Sequence, residues 1–430
     1  MKIGLFLQDG TSLNDKVFSK VMTTVKNSDI DLLVFPEFSK IPQSFFGEDG
    51  VPLSDLALAV NKKCDKPVLI NCKNNDGEIV SLYSNYKAKD PETDEAYFKK
   101  HTYTGCSAFE SDELQDTEVF NYCPILLNGL NIGVTICNDV TDPLLAGLWC
   151  EYDGVDIVIN QTGGGVQSFK WKPYNRVRAI ESNCFSFCTM NADEKGASGK
   201  SFVMGFNPNG KELRPSYTLV NSTQDLDTPG TIYVYDTEAD PDGKEVLFNS
   251  SKGGKTSDDA DFSLPKGKID SMLKKAKVIN PETGLYHLKD GDRNIIFCEL
   301  KNDEILYPMN VPLAFYDEEI KDLENKYFVI VSKFDHLSKE DFETKYCEVL
   351  GVRSIENRAA VVLESDNYNM CITTDNYKHI RYVADEDGMY NIQLKFIKGP
   401  DAIWPSNGHK LEWRDKYEWL LNHYETLFEE

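Results

Sequence analysis

Apolar and polar positions alternate between two rhythms along the first 240 residues. "KIGLFLQ" (2–8) is a continuous apolar run of strand length, and "NDKVFSKVMTTVKNSD" (14–29) follows with Val17, Val21 and Val25 four apart. Phe18 and Met22 fall beside them, which completes one helix face, and Asn14 is placed to cap it. "IDLLVFPEF" (30–38) is a second strand, "LSDLALAVNKKCD" (53–65) a helix and "KPVLINCK" (66–73) a third strand. "EIVSLYSNYKA" (78–88) and "AYFKKHTY" (96–103) are strand-like pieces either side of a polar turn. Next come the strands "NIGVTIC" (131–137) and "DIVIN" (156–160), with a proline-started helix, "PLLAGLWCEYD" (143–153), between them. The helix "KPYNRVRAIESN" (172–183) precedes "CFSFCTM" (184–190), "SFVMGF" runs into a Pro-Asn-Gly turn, and "GTIYVYDT" (230–237) closes the series. This order of strands and helices predicts an α/β layered fold.

The pattern breaks near 238. "EADPDGKE" and "NSSKGGKTSDDAD" have the Gly, Ser and charge content of a linker or long loop. Beyond them lie new strands, "RNIIFCEL", "YFVIVSKF", "AAVVLES" and "MCITTD", and a terminal helix with Trp413, Trp419, Leu420, Tyr424 and Leu427 on it. A boundary near 245 divides the chain into a domain of residues 1–245 and an α+β extension of residues 246–430. One echo crosses that boundary: "VRAIES" (177–182) recurs as "VRSIEN" (352–357), each between apolar strands. Partial duplication and chance repetition of common helix residues both account for it.

Charge narrows the partners. The 430 residues carry a formal net charge of −24 and a pI near 4.7. An acidic surface opposes binding to a phosphate backbone, so no nucleic acid is expected. No stretch reaches the length of about 18 apolar residues that a membrane span needs, and the start "MKIGLFLQDG" lacks a signal-peptide pattern. The 11 cysteines form no CxxC pair or regular framework, which fits reduced thiols in the cytoplasm. Cys184 and Cys188 lack a second pair to complete a zinc set and are expected as core thiols.

Candidate chemistry sits at strand ends, where open α/β sheets build their sites. "VTICNDV" (134–140) drives Cys137 to the end of a buried strand just before a turn, as a nucleophile elbow does. A buried core thiol is the plainer alternative, since thiols are among the most buried side chains. Glu37 follows the strand "LLVFP" and is either a base or a solvated loop acid. Lys99, Lys100 and His101 follow one another in "YFKKHTY", as a cationic stabiliser or a solvated face. Arg178 and Glu181, one helical turn apart, suit an ion pair that anchors their helix.

Taken together, "VFPE", "Y-x-K-x-H" and "G-V-x-I-C-x-D" resemble the nitrilase superfamily of carbon–nitrogen hydrolases over about residues 1–240. Asn85 in "LYSN", the strand "DIVIN", "RAIESN" and the turn "NPNGKEL" add to the resemblance. The resemblance implies a four-layer α–β–β–α sandwich, nitrilase-like, with the C-terminal α+β region as an addition that ordinary members lack. It implies catalytic roles for Glu37 as base, Lys99 as oxyanion stabiliser and Cys137 as nucleophile. A second glutamate falls on Glu110, with Glu113 as its alternative. It implies a small-molecule amide or nitrile substrate, amide before nitrile, no metal or organic cofactor, and a homodimer or larger homo-oligomer. "NDVTDP" departs from the family's usual continuation past the cysteine, in a region that shapes the substrate pocket, so no subfamily substrate carries over. A regulatory or assembly protein on a silent nitrilase fold, defence-related modules included, is one alternative. Acyl transfer to an acceptor held by residues 246–430 is the other.

Overall fold

The computed structural model describes residues 1–8, 14–42, 53–73, 79–89, 96–102, 124–141, 143–151, 154–164, 168–192, 201–219, 230–239, 251–254, 262–315, 317–375 and 378–397. It divides into two compact units, residues 1–140 with 152–245 and residues 141–151 with 246–430.

In the first unit, β1 (Lys2–Phe6), β2 (Leu32–Val34) and β3 (Val68–Lys73) run parallel, and β4 (Ile79–Lys89) and β5 (Ala96–Thr102) continue the sheet antiparallel. A second sheet is built from β6 (Ile125–Leu127), β7 (Leu130–Ile136), β8 (Ile157–Gly164), β9 (Phe185–Ala192) and β10 (Phe202–Phe206). Its three central strands are parallel and its two edges antiparallel. β11 (Tyr217–Leu219) and β12 (Ile232–Asp236) return to the first sheet beside β1.

Side-chain parity explains why two sheets stack. Ile3, Leu5, Leu32, Val34 and Leu69 point one way and meet Ile132, Val134, Ile157, Ile159 and Phe187 of the other sheet. Their neighbours Phe6, Leu33, Phe35 and Ile70 point the other way, onto Phe18, Val21, Met22 and Val25 of α1 (Asp15–Lys26) and Leu56 and Val60 of α2 (Leu53–Cys64). Strands buried on both faces read as continuous apolar runs, which is how they appear in the sequence. Each such side chain stabilises the fold by roughly 1.5–3 kcal/mol. On the far side of the second sheet, α4 (Ser168–Glu181) packs on β8, β9 and β10. The layers are α–β–β–α, as the resemblance implied. Asn14 caps α1, its side chain accepting from the Val17 N–H at 2.9 Å.

The helix that follows the nucleophile candidate, α3 (Pro143–Glu151), groups with the second unit. That unit has an eight-stranded sheet, ordered β13 (Ser251–Gly254), β21 (Lys378–Tyr382), β20 (Asn369–Asp375), β19 (Ala360–Glu364), β18 (Lys326–Lys333), β17 (Arg293–Lys301), β16 (Leu285–Asp290), β15 (Lys277–Asn280). One face is covered by a two-stranded ribbon, β14 (Phe262–Pro265) with β22 (Met389–Ile392), through Leu264, Tyr390 and Ile392. The other carries α5 (Cys347–Asn357), which packs on β19 and β20. The five strands β16 to β20 have the order and directions of β6 to β10. The aromatic terminal helix expected near 411–428 lies outside the described residues. No helix among the described residues is long and apolar enough to cross a membrane.

Candidate active site

β7 ends at Ile136, and Cys137 turns the chain by adopting φ +52°. A left-handed backbone costs a residue with a side chain roughly 1–2 kcal/mol, so something must hold it. Local bonds do. Asp139 Oδ2 accepts the Ile136 N–H at 3.2 Å, bridging the bend from the far side. Residues Cys137–Thr141 close into a tight 3-10 turn. The Val140 carbonyl at its end accepts from Arg178 Nε at 2.8 Å. Arg178 is itself ion-paired to Glu181, with side chains 1% and 0% exposed. The i, i+3 pair read from the sequence is present, and it grips the thiol's turn as well as its own helix.

Glu37 comes from the other sheet. The ladder of β2 stops at Val34, and residues 35–38 bend across the strand ends. Phe38 is left-handed at φ +54°. This bend is bolted on several sides. The Glu37 N–H donates to the Thr162 carbonyl at 3.2 Å, and the Phe38 N–H to Asn71 Oδ1 at 3.0 Å. Asn191 Nδ2 donates to both the Glu37 and Phe38 carbonyls, at 3.2 and 3.3 Å. Gln161 Nε2 donates to the Phe35 carbonyl at 2.6 Å and the Leu69 carbonyl at 3.2 Å, tying the two sheets together behind the bend. Gly163 leaves room for the carboxylate: a Cβ there would lie 3.2 Å from Glu37 Oε2 and 3.2 Å from a Phe38 ring carbon.

These two bends put an acid and a thiol in contact. Glu37 is 2% exposed, and the Cys137 thiol hydrogen-bonds to its carboxylate. Burial pushes the Glu37 carboxyl up to about 7, and the nearby Asp139 charge adds to the rise; the Cys137 thiol and the Gly163 N–H pull the other way. Glu37 Oε2 has no hydrogen-bond partner among the described residues. A carboxylate near neutrality, buried against a thiol, can take its proton at physiological pH. Cys188, fully buried, lies within electrostatic reach of Cys137, and burial pushes its own thiol well up. Cys184 is also buried and donates to the Arg178 carbonyl at 3.8 Å, so both thiols of that pair belong to the core.

Lys99 lies on β5 opposite Tyr83, whose ring belongs to the core between the sheets, and Lys100 lies opposite Leu82, which packs towards α1 and α2. Glu110 and Glu113 fall outside the described residues. Asn71, Gln161, Gly163 and Asn191 escaped sequence reasoning. Their contribution is made to backbone atoms and free space distant in the chain, and no local pattern signals that.

The chain is similar to solved nitrilase-superfamily hydrolases, over about half its length. An amidase from Nesterenkonia sp. AN1, captured with acrylamide added at its active-site cysteine, shares 15% identity and covers 56% of this chain and 94% of its own, at a TM-score of 0.37. A carbon–nitrogen hydrolase from Helicobacter pylori G27 shares 15% identity and covers 55% of this chain and 90% of its own, at 0.36. No protein-family model and no curated protein matches the chain. At these scores the functional reading rests on the chain's own residues.

Proposed function

We propose that the first unit is a thiol-dependent hydrolase that cleaves the carbon–nitrogen bond of a small amide, with Cys137 as nucleophile and Glu37 as base. The observation that carries this reading is the buried thiol–carboxylate contact at a left-handed strand end, with the carboxyl raised to about 7. Strain, burial and a shifted acid concentrated at one point are what a catalytic site needs, and a packing cysteine requires none of them.

The chemistry balances with these groups and water. The Cys137 proton passes to Glu37 as Sγ bonds to the amide carbon and the carbonyl π pair moves onto oxygen. The backbone N–H after Cys137 and the Lys99 ammonium are assigned to that oxyanion; losing one such donor costs about 100–1000-fold in rate. As the C=O reforms, the C–N bond breaks. The leaving nitrogen takes the proton from Glu37, assisted by Glu110, and an S-acyl thioester remains. Water then gives a proton to Glu37, its oxygen bonds to the acyl carbon, the C–S bond breaks and the proton returns to Sγ.

The test is incubation with unbranched amides from formamide to butyramide and the matching nitriles, measuring ammonia release and the intact mass of acid-quenched protein. An acyl increment mapped to Cys137, with release abolished in Cys137→Ala, is the expected result. Release that survives Cys137→Ala, or no adduct from any amide, would overturn the proposal.

A further inference from the structure

The echo between "VRAIES" and "VRSIEN" extends into three dimensions, residue by residue. Ile132 pairs with Ile157 and Ile159 with Phe187 in the first unit; Phe297 pairs with Val329 and Val331 with Val362 in the second. All eight lie on the faces that build their units' cores. At the ends of β7 and β17 the agreement becomes atomic. Cys137 has φ +52° and Asn302 has φ +48°, and each opens a five-residue 3-10 turn. The Ile136 N–H reaches Asp139 Oδ2 at 3.2 Å, and the Lys301 N–H reaches Glu304 Oε2 at 2.6 Å. Arg178 Nε donates to the Val140 carbonyl at 2.8 Å, and Arg353 Nε to the Ile305 carbonyl at 3.0 Å. Arg178 pairs with Glu181, and Arg353 with Glu356 at 2.8 Å, all four side chains at most 1% exposed. Beyond each helix the chain turns through a left-handed residue, Asn183 at +48° and Arg358 at +44°.

Two copies of one device, only one of them bearing a thiol, separate holding from chemistry. We infer that Asp139 and the Arg178–Glu181 pair are positioning residues for the Cys137 turn, and that the second unit carries a second copy of this elbow in which Asn302 stands where the nucleophile would. The inference rests on the reading of Cys137 as nucleophile. Chance resemblance of two helix segments does not produce matching left-handed residues, matching acid-to-amide bridges and matching guanidinium-to-carbonyl bonds. The acid and the ion pair persist where there is no sulfur, so their common task is the turn. In the second copy Asn302 is fixed locally: its Oδ1 accepts the Asp335 N–H at 3.2 Å and its Nδ2 donates to Asp335 Oδ2 at 3.4 Å. Asparagine also tolerates the left-handed region better than most residues. That elbow is closed by its own bonds. In the first copy the same geometry aims Sγ at Glu37, where a displacement of about 1 Å is enough to cost about 100-fold in rate.

Matched substitutions in the two copies test this on the full chain. Arg178→Gln and the milder Glu181→Gln are compared with Arg353→Gln and Glu356→Gln. Two readouts are taken, thermal midpoint and the rate of Cys137 alkylation by iodoacetamide between pH 5 and 9, mapped by peptide mass. Loss of stability is expected from both sets. Slowing of Cys137 alkylation by tenfold or more near neutral pH is expected from the Arg178 and Glu181 variants alone, with the Arg353 and Glu356 variants within twofold of the parent. Should Arg178→Gln not fold, Glu181→Gln against Glu356→Gln gives the same comparison. Equal slowing in both sets, or an unchanged Cys137 profile in folded Glu181→Gln, would overturn the inference. Alkylation needs no turnover, so a protein that hydrolyses no amide yet shows this contrast sinks the hydrolase reading and leaves the positioning role standing.

Discussion

In the proposed reaction Glu37 is the base, and its burial and its neighbours set how readily its carboxyl ionises. Asp139 sits two residues past the thiol, 3% exposed, and its charge raises the Glu37 carboxyl while its Oδ2 bridges the bend. Asp139→Asn keeps an oxygen for the Ile136 N–H and removes the charge. With the like charge gone, the ionised form of Glu37 is easier to make, so its titration moves down from about 7. The pH at which Cys137 alkylation reaches half its plateau should therefore fall in Asp139→Asn, and a rise would contradict the assignment of Asp139 as a like-charge neighbour. That Cys137 and Glu37 lie just past strand ends was legible in the sequence for a simple reason: each directly follows an apolar run. The size of the Glu37 shift was not legible, since it depends on burial between sheets and on a charge 102 positions away.

The elements that matter are two bends, each with one left-handed residue and each tied in part by side chains remote in sequence. The Glu37 bend depends on Asn191, 154 positions on, which gives its amide to two carbonyls at once. Asn191→Ala leaves the buried Glu37 carbonyl and the half-buried Phe38 carbonyl without that donor, and a buried group left unsatisfied typically costs about 1–3 kcal/mol. The expected outcome is a lower denaturant midpoint together with Cys137 alkylation slowed at neutral pH. Lost stability with unchanged alkylation would mean that Asn191 supports the fold and not the base. Helices and buried strands were readable from their periods, and Asn14 from its place before α1. Ends were less so: β2 stops at Val34 although the pattern predicts a strand to Phe38, because residues 36–38 leave the ladder, with the Glu37 and Phe38 N–H groups bonded to Thr162 and Asn71 instead. α4 begins at Ser168, four residues ahead of the stretch 172–183 whose pattern predicts a helix, and takes Pro173 inside. For the β2 end the deciding partners, Thr162, Asn71 and Asn191, are remote in the chain and invisible to a local window.

At the scale of the molecule the chain reuses one structural idea. A strand-ending elbow, clipped by an acid and gripped by a buried arginine, occurs once with a thiol and once with an asparagine. The short repeat in the sequence was a trace of this, but six residues carry too little information to prefer duplication over chance. The strand order, the pairing register and the two ion pairs supply what was missing. The layered sheets of the first unit were readable because double-sided burial writes unbroken apolar runs. The ribbon covering the second sheet was not, since β14 and β22 are four residues each and lie 124 positions apart. The account as a whole stands on one contact, between the Cys137 thiol and the Glu37 carboxylate. Its most direct test is the pH–rate profile of Cys137 alkylation in the parent and in Glu37→Gln. The parent rate should climb as Glu37 ionises, with a midpoint near 7, because only the ionised carboxylate accepts the thiol proton. In Glu37→Gln that step should vanish and the rate at neutral pH fall by tenfold or more; superimposable profiles would contradict the account.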